Sequence, residues 1–173
     1  MKRFARAAGR RAVCLVSRSM QIIGPVLNER DQCEEVLRSL PMWFGIEHAL
    51  VMYADDSARL PTFAAAEGAK VMGFISLRQH FPRAWEVHCI AVRAESRNKG
   101  LGKSLMAHAE SWLAKQGVSM LQVKTVAATS PSKEYAQTRE FYRHVGYQPL
   151  EVFPNLWDAH NPALQLVKVL PAG

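Results

Sequence analysis

Two closely spaced glycines follow an apolar segment and open the region with the clearest helical pattern. Residues 97–102 read Arg-Asn-Lys-Gly-Leu-Gly, and residues 89–92 before them are apolar. Backbone N–H groups at a helix N-terminus have no intrahelical partner, and the helix dipole favours negative charge there. Glycine allows a phosphate to approach the backbone closely. The segment therefore predicts an anion-binding turn.

The residues of this turn separate three kinds of phosphate site. A Walker A loop that uses Gly102 and Lys103 requires glycine at position 97, where Arg97 stands. A dinucleotide fingerprint that uses Gly102 requires glycine at position 105, where Leu105 stands. A third pattern is Gln or Arg, two residues, Gly, one residue, and Gly or Ala, and residues 97–102 meet it fully. A turn that needs glycine only for its conformation is the structural alternative.

A second informative segment contains two adjacent aromatic residues followed by a glycine. Residues 138–147 read Thr-Arg-Glu-Phe-Tyr-Arg-His-Val-Gly-Tyr. Together with the turn and the Ile-Ala-Val segment at 90–92, they resemble the GNAT superfamily of N-acetyltransferases, over about residues 20–170. Two positions depart from the pattern of that family's fourth helix. Tyr135 stands where Asn is common, and Thr138 stands where Ala is common.

The resemblance implies an enzyme that moves an acetyl group from acetyl-CoA to the amine of a small molecule or peptide by direct attack. A backbone N–H of the strand before the turn would hold the developing oxyanion. A non-catalytic acyl-CoA sensor on the same fold is the alternative. The residues expected to bind acetyl-CoA are Ile90, Ala91 and Val92 along the pantetheine arm and Arg97, Asn98, Lys99, Gly100, Leu101, Gly102 and Lys103 at the pyrophosphate.

Glu86 is the expected general base, because it lies eleven residues before Arg97, as a glutamate base does in some family members. The attacking amine must be neutral, so a proton acceptor helps at neutral pH. Strand alternation would place Glu86 on one sheet face with His88 and Ile90. Burial in a cleft would raise the pKa of its carboxyl towards the working range. His88 is the alternative base.

Tyr142 matches the tyrosine of the family's fourth helix and is the expected general acid for the leaving thiolate. A phenol can protonate a thiolate only where hydrogen bonding or geometry favours the transfer. A packing role in the core or against acetyl-CoA is the alternative for Tyr142. The adjacent Phe141 is expected to be a core residue.

Hydrophobic periodicity predicts eleven elements in the order β-α-α-β-β-β-α-β-α-β-β. The clearest helix spans residues 100–116, where Leu101, Leu105, Ala109 and Leu113 recur on one face. A second helix is expected over residues 43–53, followed by a loop at residues 55–57. The predicted fold class is α/β (α+β). The resemblance implies a mixed, mostly antiparallel central sheet flanked by about four helices.

The positive charge of the chain is concentrated at its start. The chain carries 22 basic and 15 acidic residues, a net charge of +7, and residues 1–28 hold six of the basic residues and no acidic one. The rest of the chain is therefore nearly neutral, which argues against a nucleic-acid partner. We expect a flexible basic extension over residues 1–19, or a transit peptide, and a single acetyltransferase domain over residues 20–173.

The remaining composition predicts a protein of the cytoplasm. Three cysteines without a paired motif indicate reduced thiols. Because the sequence contains no Cys or His cluster, we expect no metal site. The longest uncharged run, residues 19–28, is too short to cross a membrane. We expect a monomer or homodimer.

The sequence also predicts where the acceptor amine binds. Its binding side is expected between residues 29 and 59, where Glu47, Asp55 and Asp56 would attract a cationic amine. Trp43 and Phe44 lie in the same segment and could equally belong to the core.

Overall fold

The computed structural model describes residues 20–26 and 29–171, and one seven-stranded sheet runs through them. The predicted extension over residues 1–19 lies outside this described part. The strands are β1 (Met20–Val26), β2 (Thr62–Glu67), β3 (Lys70–Phe81), β4 (Ala84–Val92), β5 (Met120–Val126), β6 (Gln148–Asp158) and β7 (Asn161–Val169). The helices are α1 (Arg30–Arg38), α2 (Glu47–Ser57), α3 (Leu101–Ala114) and α4 (Lys133–His144), with a short 3-10 turn at Ala94–Ser96. The predicted order of elements is confirmed.

Helix α2 lies further along the chain than the sequence predicts. Residues 43–46, expected to be helical, form a turn in which the Trp43 N–H donates to the carbonyl of Leu40 at 3.0 Å. Residues 55–57, expected to be a loop, are the last residues of the helix. Ser57 is fully buried and its hydroxyl donates to the carbonyl of Ala54. Burial of polar residues by tertiary packing therefore extends α2 where local polarity predicts a loop.

The sheet is mostly antiparallel, in the strand order β1-β2-β3-β4-β5-β7-β6, and it opens in the middle. Its one parallel pair, β4 with β5, is joined only between residues 84–87 and residues 120–123. Beyond this point β4 stays paired with β3 as far as Val92, and β5 stays paired with β7 as far as Val126. Two neighbouring strands thus continue without pairing to each other. This divergence creates a cleft within the sheet.

A β-bulge at His88 changes which face of the sheet the following side chains occupy. Leu77 on β3 pairs with Val87, and Ser76 pairs with Cys89, so His88 is the extra residue. Val87 packs in the core beneath α3, whereas Cys89 packs in the separate core beneath α1 and α2. The expectation that Ile90 shares a face with Glu86 and His88 is therefore wrong. Ile90 packs against the α3 core instead.

Two apolar cores hold the helices against opposite faces of the sheet. The larger core joins α3 and the end of α4 to the sheet, and Leu105, Met106 and Leu113 are almost fully buried in it. The smaller core joins α1 and α2 to β3 and β4, with Val36 and Leu37 fully buried. The divergence of β4 and β5 therefore opens a passage between the two helical layers.

Candidate active site

One cavity of about 870 Å³ occupies the divergence between β4 and β5. Its walls come from residues 87–92 of β4, residues 123–126 of β5, the 97–102 turn, α4, the α1–α2 region and the β6–β7 hairpin. Among the predicted site residues, the cavity is lined by Ile90, Ala91, Val92, Arg97, Asn98, Gly100, Leu101, Gly102, Lys103 and Tyr142. His88 also lines it, whereas Glu86 and Lys99 are not among its lining residues.

The turn before α3 presents backbone donors to this cavity. Asn98 and Gly100 adopt the left-handed backbone conformation, with φ values of 61° and 80°. Helix α3 begins at Leu101, and no side chain in the described part of the chain caps its N-terminus. The first N–H groups of the helix therefore have no intrahelical acceptor. A Cβ at Gly102 would lie 3.3 Å from the Phe141 ring, so a side chain larger than glycine would press on this ring.

The loop between α1 and α2 reaches across the cleft through Trp43. The guanidinium of Arg97 stacks over the Trp43 ring at 4.0 Å from its centroid. The indole N–H of Trp43 donates to Oγ1 of Thr138 at 3.1 Å, and the hydroxyl of Tyr135 donates to the carbonyl of Trp43 at 2.9 Å. Tyr135 and Thr138 are the two positions that depart from the family pattern. In this chain both of them bind the α1–α2 loop.

His88 is held by a carboxylate in the cavity wall. Its Nε2 lies 2.7 Å from Oδ2 of Asp56, which also accepts from Arg78 at 2.7 Å. Since a carboxylate only accepts, Nε2 carries the proton and Nδ1 keeps its lone pair. Burial, followed by the positive charge of Arg78, lowers the pKa of His88 below its ordinary value despite Asp56. The imidazole is therefore neutral at neutral pH.

Glu86 is buried in an ion-paired cluster. Its carboxylate accepts from Nζ of Lys124 at 2.9 Å and lies 2.5 Å from Nε2 of His80. Burial alone would raise the pKa of the Glu86 carboxyl, but the hydrogen bonds from Lys124 and His80 outweigh it and hold the pKa below its ordinary value. The expected upward shift of this pKa is therefore wrong, because hydrogen bonds to the carboxylate and the positive charge of Lys124 favour its ionised form.

Tyr142 lies in the wall that α4 contributes. It is 4 % exposed, and burial is the largest cause of a strong rise in its pKa. Its ring packs against Phe141 and Tyr147, at centroid distances of 5.3 and 5.9 Å. Within residues 20–26 and 29–171, no hydrogen bond restrains its hydroxyl. The phenol is therefore protonated and available to a group bound in the cavity.

The sequence profile of the Acetyltransferase (GNAT) family matches residues 28–147, more than two thirds of the chain. The chain belongs to the GNAT acetyltransferase family. It is accordingly an acyltransferase that moves an acetyl group from acetyl-CoA to an amine. No curated protein matches its sequence.

Solved structures show the same fold. A GNAT-family acetyltransferase from Desulfovibrio desulfuricans superposes with a TM-score of 0.76 at 17 % identity, over 88 % of this chain and all of the other. The ribosomal-protein-S18-alanine N-acetyltransferase of Escherichia coli gives 0.71 at 17 % identity, over 90 % and 96 % of the two chains. An aminoglycoside 6'-N-acetyltransferase in complex with coenzyme A gives 0.65 at 21 % identity, over 82 % and 91 %.

The acidic residues of α2 in this acetyltransferase do not present free charge to the cavity. Glu47 is paired with Arg38 at 2.8 Å, and Asp55 with Arg30 at 2.7 Å. Asp56 is occupied by His88 and Arg78, as described above. The expectation that these acids would attract a cationic amine is therefore not supported by their placement, because each one already has a cationic or histidine partner.

Cys89 also lines the cavity of this acetyltransferase and could in principle attack a thioester. It is 5 % exposed, and burial strongly raises the pKa of its thiol. Since the thiolate is the nucleophilic form, a buried thiol with a raised pKa is inert. This environment supports direct attack by the amine over transfer through a cysteine.

Sequence reasoning named Asp56 as an acid of the acceptor side but missed its contact with His88. It was expected in a loop, yet it faces His88 from the last turn of α2. Tyr53 lies three residues earlier and also packs on His88, with centroids 5.2 Å apart. A helical spacing of three between an aromatic and an acidic residue was the available signal.

Within the described ranges of this acetyltransferase, no helix is both long and apolar enough to cross a membrane. In the same part of the chain, no group of three or more His, Cys, Asp and Glu side chains is placed to hold a metal ion.

Proposed function

We propose that acetyl-CoA binds in the cavity between β4 and β5 and that a bound amine attacks its acetyl group directly. The observation that carries this proposal is the continuity of one cavity, which joins the uncapped N-terminus of α3 to both His88 and Tyr142. Acetyl-CoA supplies the acetyl group as an activated thioester. The chain's own residues supply the binding surface, the orientation and the proton transfers.

The cavity fits the two polar parts of acetyl-CoA that need hydrogen-bond partners. For the pyrophosphate, the N–H groups of Leu101, Gly102 and Lys103 are first-turn donors, and Arg97 adds positive charge. For the pantetheine arm, Ile90 and its neighbours in β4 are paired with β3 on one edge only. Their other edge faces the cleft and needs partners. Lys99, which lies outside the lining, would contribute long-range charge only.

His88 is the better placed proton acceptor for the attacking amine. It lines the cavity, its proton is fixed on Nε2 by Asp56, and its Nδ1 has no hydrogen-bond partner among residues 20–26 and 29–171. Glu86 is ion-paired with Lys124, is hydrogen-bonded to His80 and lies outside the lining. We therefore assign the base to His88, the alternative in the sequence analysis, with Asp56 as its positioning residue. Tyr142 donates the proton that the leaving sulfur requires.

Matched substitutions at His88 and Glu86 separate these two assignments. His88→Gln should lower kcat/KM by about 10²- to 10⁴-fold at neutral pH, the usual contribution of a positioned base. The loss should shrink as rising pH deprotonates the free amine. Glu86→Gln should leave kcat/KM largely intact but lower the Tm, because Lys124 and His80 lose their buried partner. Rate measurements across pH and thermal melts check both results.

The pH profile of the unmodified enzyme provides a further check on His88. Because the pKa of His88 lies below its ordinary value, the neutral base persists to lower pH. On the acidic side, kcat/KM should therefore begin to decline only when the pH drops below about 6.5. A loss of activity with pH rescue in Glu86→Gln, together with full activity in His88→Gln, would reverse the assignment of the base.

The function itself is tested by the release of the CoA thiol from acetyl-CoA in the presence of a panel of primary amines. We expect release that depends on the amine and saturates with it. Binding of acetyl-CoA without turnover of any amine would favour the sensor alternative. We also propose a cytoplasmic location, supported by Cys33 and Cys89, which are both free and buried.

A further inference from the structure

Two segments that are far apart in the sequence give the cavity an apolar wall. Ile46 and Met52 come from the α2 region, and Leu156 and Trp157 come from β6, close to the β6–β7 turn. Each of these four side chains is 44–50 % exposed although it is large and apolar. Single exposed apolar residues are ordinary on a protein surface, but four that line one cavity mark a binding surface.

The lining offers one carboxylate to a cationic ligand. Among the described residues that line the cavity, Asp158 is the single carboxylate. Its Oδ1 accepts from the backbone N–H groups of His160 and Asn161 at 2.8 and 2.9 Å, and its Oδ2 accepts from Nδ2 of Asn161 at 3.0 Å. Asp158 is thus used to hold the β6–β7 turn.

The cationic residues of the lining outnumber this carboxylate. Arg97, Lys103 and Lys124 all line the cavity. Lys124 is paired with Glu86, and Arg97 and Lys103 lie at the proposed pyrophosphate site. A second ammonium group on an acceptor would therefore find one carboxylate, Asp158, and would lose hydration against the apolar wall. An apolar group attached to the amine would instead be covered by Met52, Trp157 and their neighbours, which favours its transfer from water.

From this lining we infer that the acceptor is a primary amine attached to an aromatic or branched aliphatic group. The inference rests on the proposed function and narrows its substrate class. The same chemistry occurs in a small arylalkylamine and in the N-terminus of a peptide that begins with an apolar residue. The two kinds of acceptor differ because only the peptide has an extended backbone, which would bind along the open cleft.

The specificity is measured as kcat/KM at one pH for 2-phenylethylamine, Val-Gly-Gly, spermidine and kanamycin. The better of the two apolar acceptors should exceed both polycations by at least about tenfold, the size of a single apolar pocket contact. Which apolar acceptor is better identifies the source. A higher kcat/KM for spermidine or kanamycin would overturn the inference while leaving the proposed function intact. Absence of turnover with all four amines would overturn both.

The same Met→Glu substitution, made once inside and once outside the cavity lining, tests whether the apolar wall determines the acceptor preference. Met52→Glu places a carboxylate in the wall, and Met42→Glu places one on an exposed site outside the lining. Met52→Glu should lower kcat/KM for the apolar acceptor about tenfold or more and raise it for spermidine, with the KM for acetyl-CoA unchanged. Met42→Glu should change neither value. Equal behaviour of the two variants, at matched Tm, would overturn the assignment of this wall to the acceptor.

Discussion

Replacing Gly102 with glutamate should abolish acetyl-CoA binding in a protein that remains folded. A Cβ at this position would lie 3.3 Å from the ring of Phe141, so the new side chain must push into the cradle at the start of α3. Its negative charge would also compete with the pyrophosphate for the same N–H groups. We expect the Kd for acetyl-CoA to rise at least about a hundredfold, a loss of roughly 2.7 kcal/mol. Calorimetric titration measures this change directly.

A ligand-dependent melt provides the second readout for this variant. Acetyl-CoA should raise the Tm of the unmodified protein by mass action and should leave the Tm of Gly102→Glu unchanged. Ala107→Glu is the matched control, because Ala107 is exposed on the same helix and lies outside the lining. The control should bind acetyl-CoA normally. Equal affinity in the folded Gly102→Glu variant would rule out the turn as the pyrophosphate site.

Removing the hydroxyl of Tyr142 should slow the reaction without weakening acetyl-CoA binding. Tyr142→Phe keeps the ring and its packing against Phe141 and Tyr147. The variant should therefore bind acetyl-CoA normally, whereas kcat should fall by about 10²- to 10⁴-fold because the leaving sulfur loses its proton donor. Rising pH should not restore the rate, in contrast to His88→Gln. Steady-state rates across pH measure the difference.

Tyr147→Phe is the matched control for this substitution. Tyr147 is also buried, and it lies outside the lining of the cavity. Its replacement should leave kcat unchanged. If Tyr142→Phe instead raises the Kd for acetyl-CoA and leaves kcat intact, Tyr142 is a packing residue and the proton comes from elsewhere.

Most of the fold could be predicted from local sequence patterns. The four-residue repeat of apolar side chains predicts α3, and the glycines before it predict the turn that now lines the cavity with Arg97. These features depend on periodicity and backbone conformation within a few residues, which a sequence displays directly. For the same reason the order of strands and helices was predictable from one end of the described chain to the other.

The details of the site depended on contacts between distant residues. The bulge at His88 follows from the pairing of β4 with β3, and it reverses the face expected for Ile90. The pKa of Glu86 is lowered because Lys124 approaches it from β5, thirty-eight residues away. The position of Asp56 beside His88 required α2 to extend past its predicted end. No pattern within a single segment encodes any of these three facts.

The hydrogen bonds between Trp43 and α4 were also not predictable from local patterns. Tyr135 and Thr138 could be recognised as departures from the family pattern, but their partner lies more than ninety residues earlier in the chain. Only the fold brings them together, and it gives the departures a reason. Both side chains bind the loop that covers the cleft, where Arg97 also stacks on Trp43.

The most direct test of direct acetyl transfer in this cavity is a mass-spectrometric measurement of one reaction. The unmodified protein is incubated with acetyl-CoA and a mixture of 2-phenylethylamine, Val-Gly-Gly, spermidine and kanamycin. The masses of the amines and of the intact protein are then measured, and the released CoA is quantified. Direct attack predicts one acetylated amine for each CoA released, with the mass of the protein unchanged. An acetyl group retained on the protein as an intermediate, or CoA release without any acetylated amine, would contradict it.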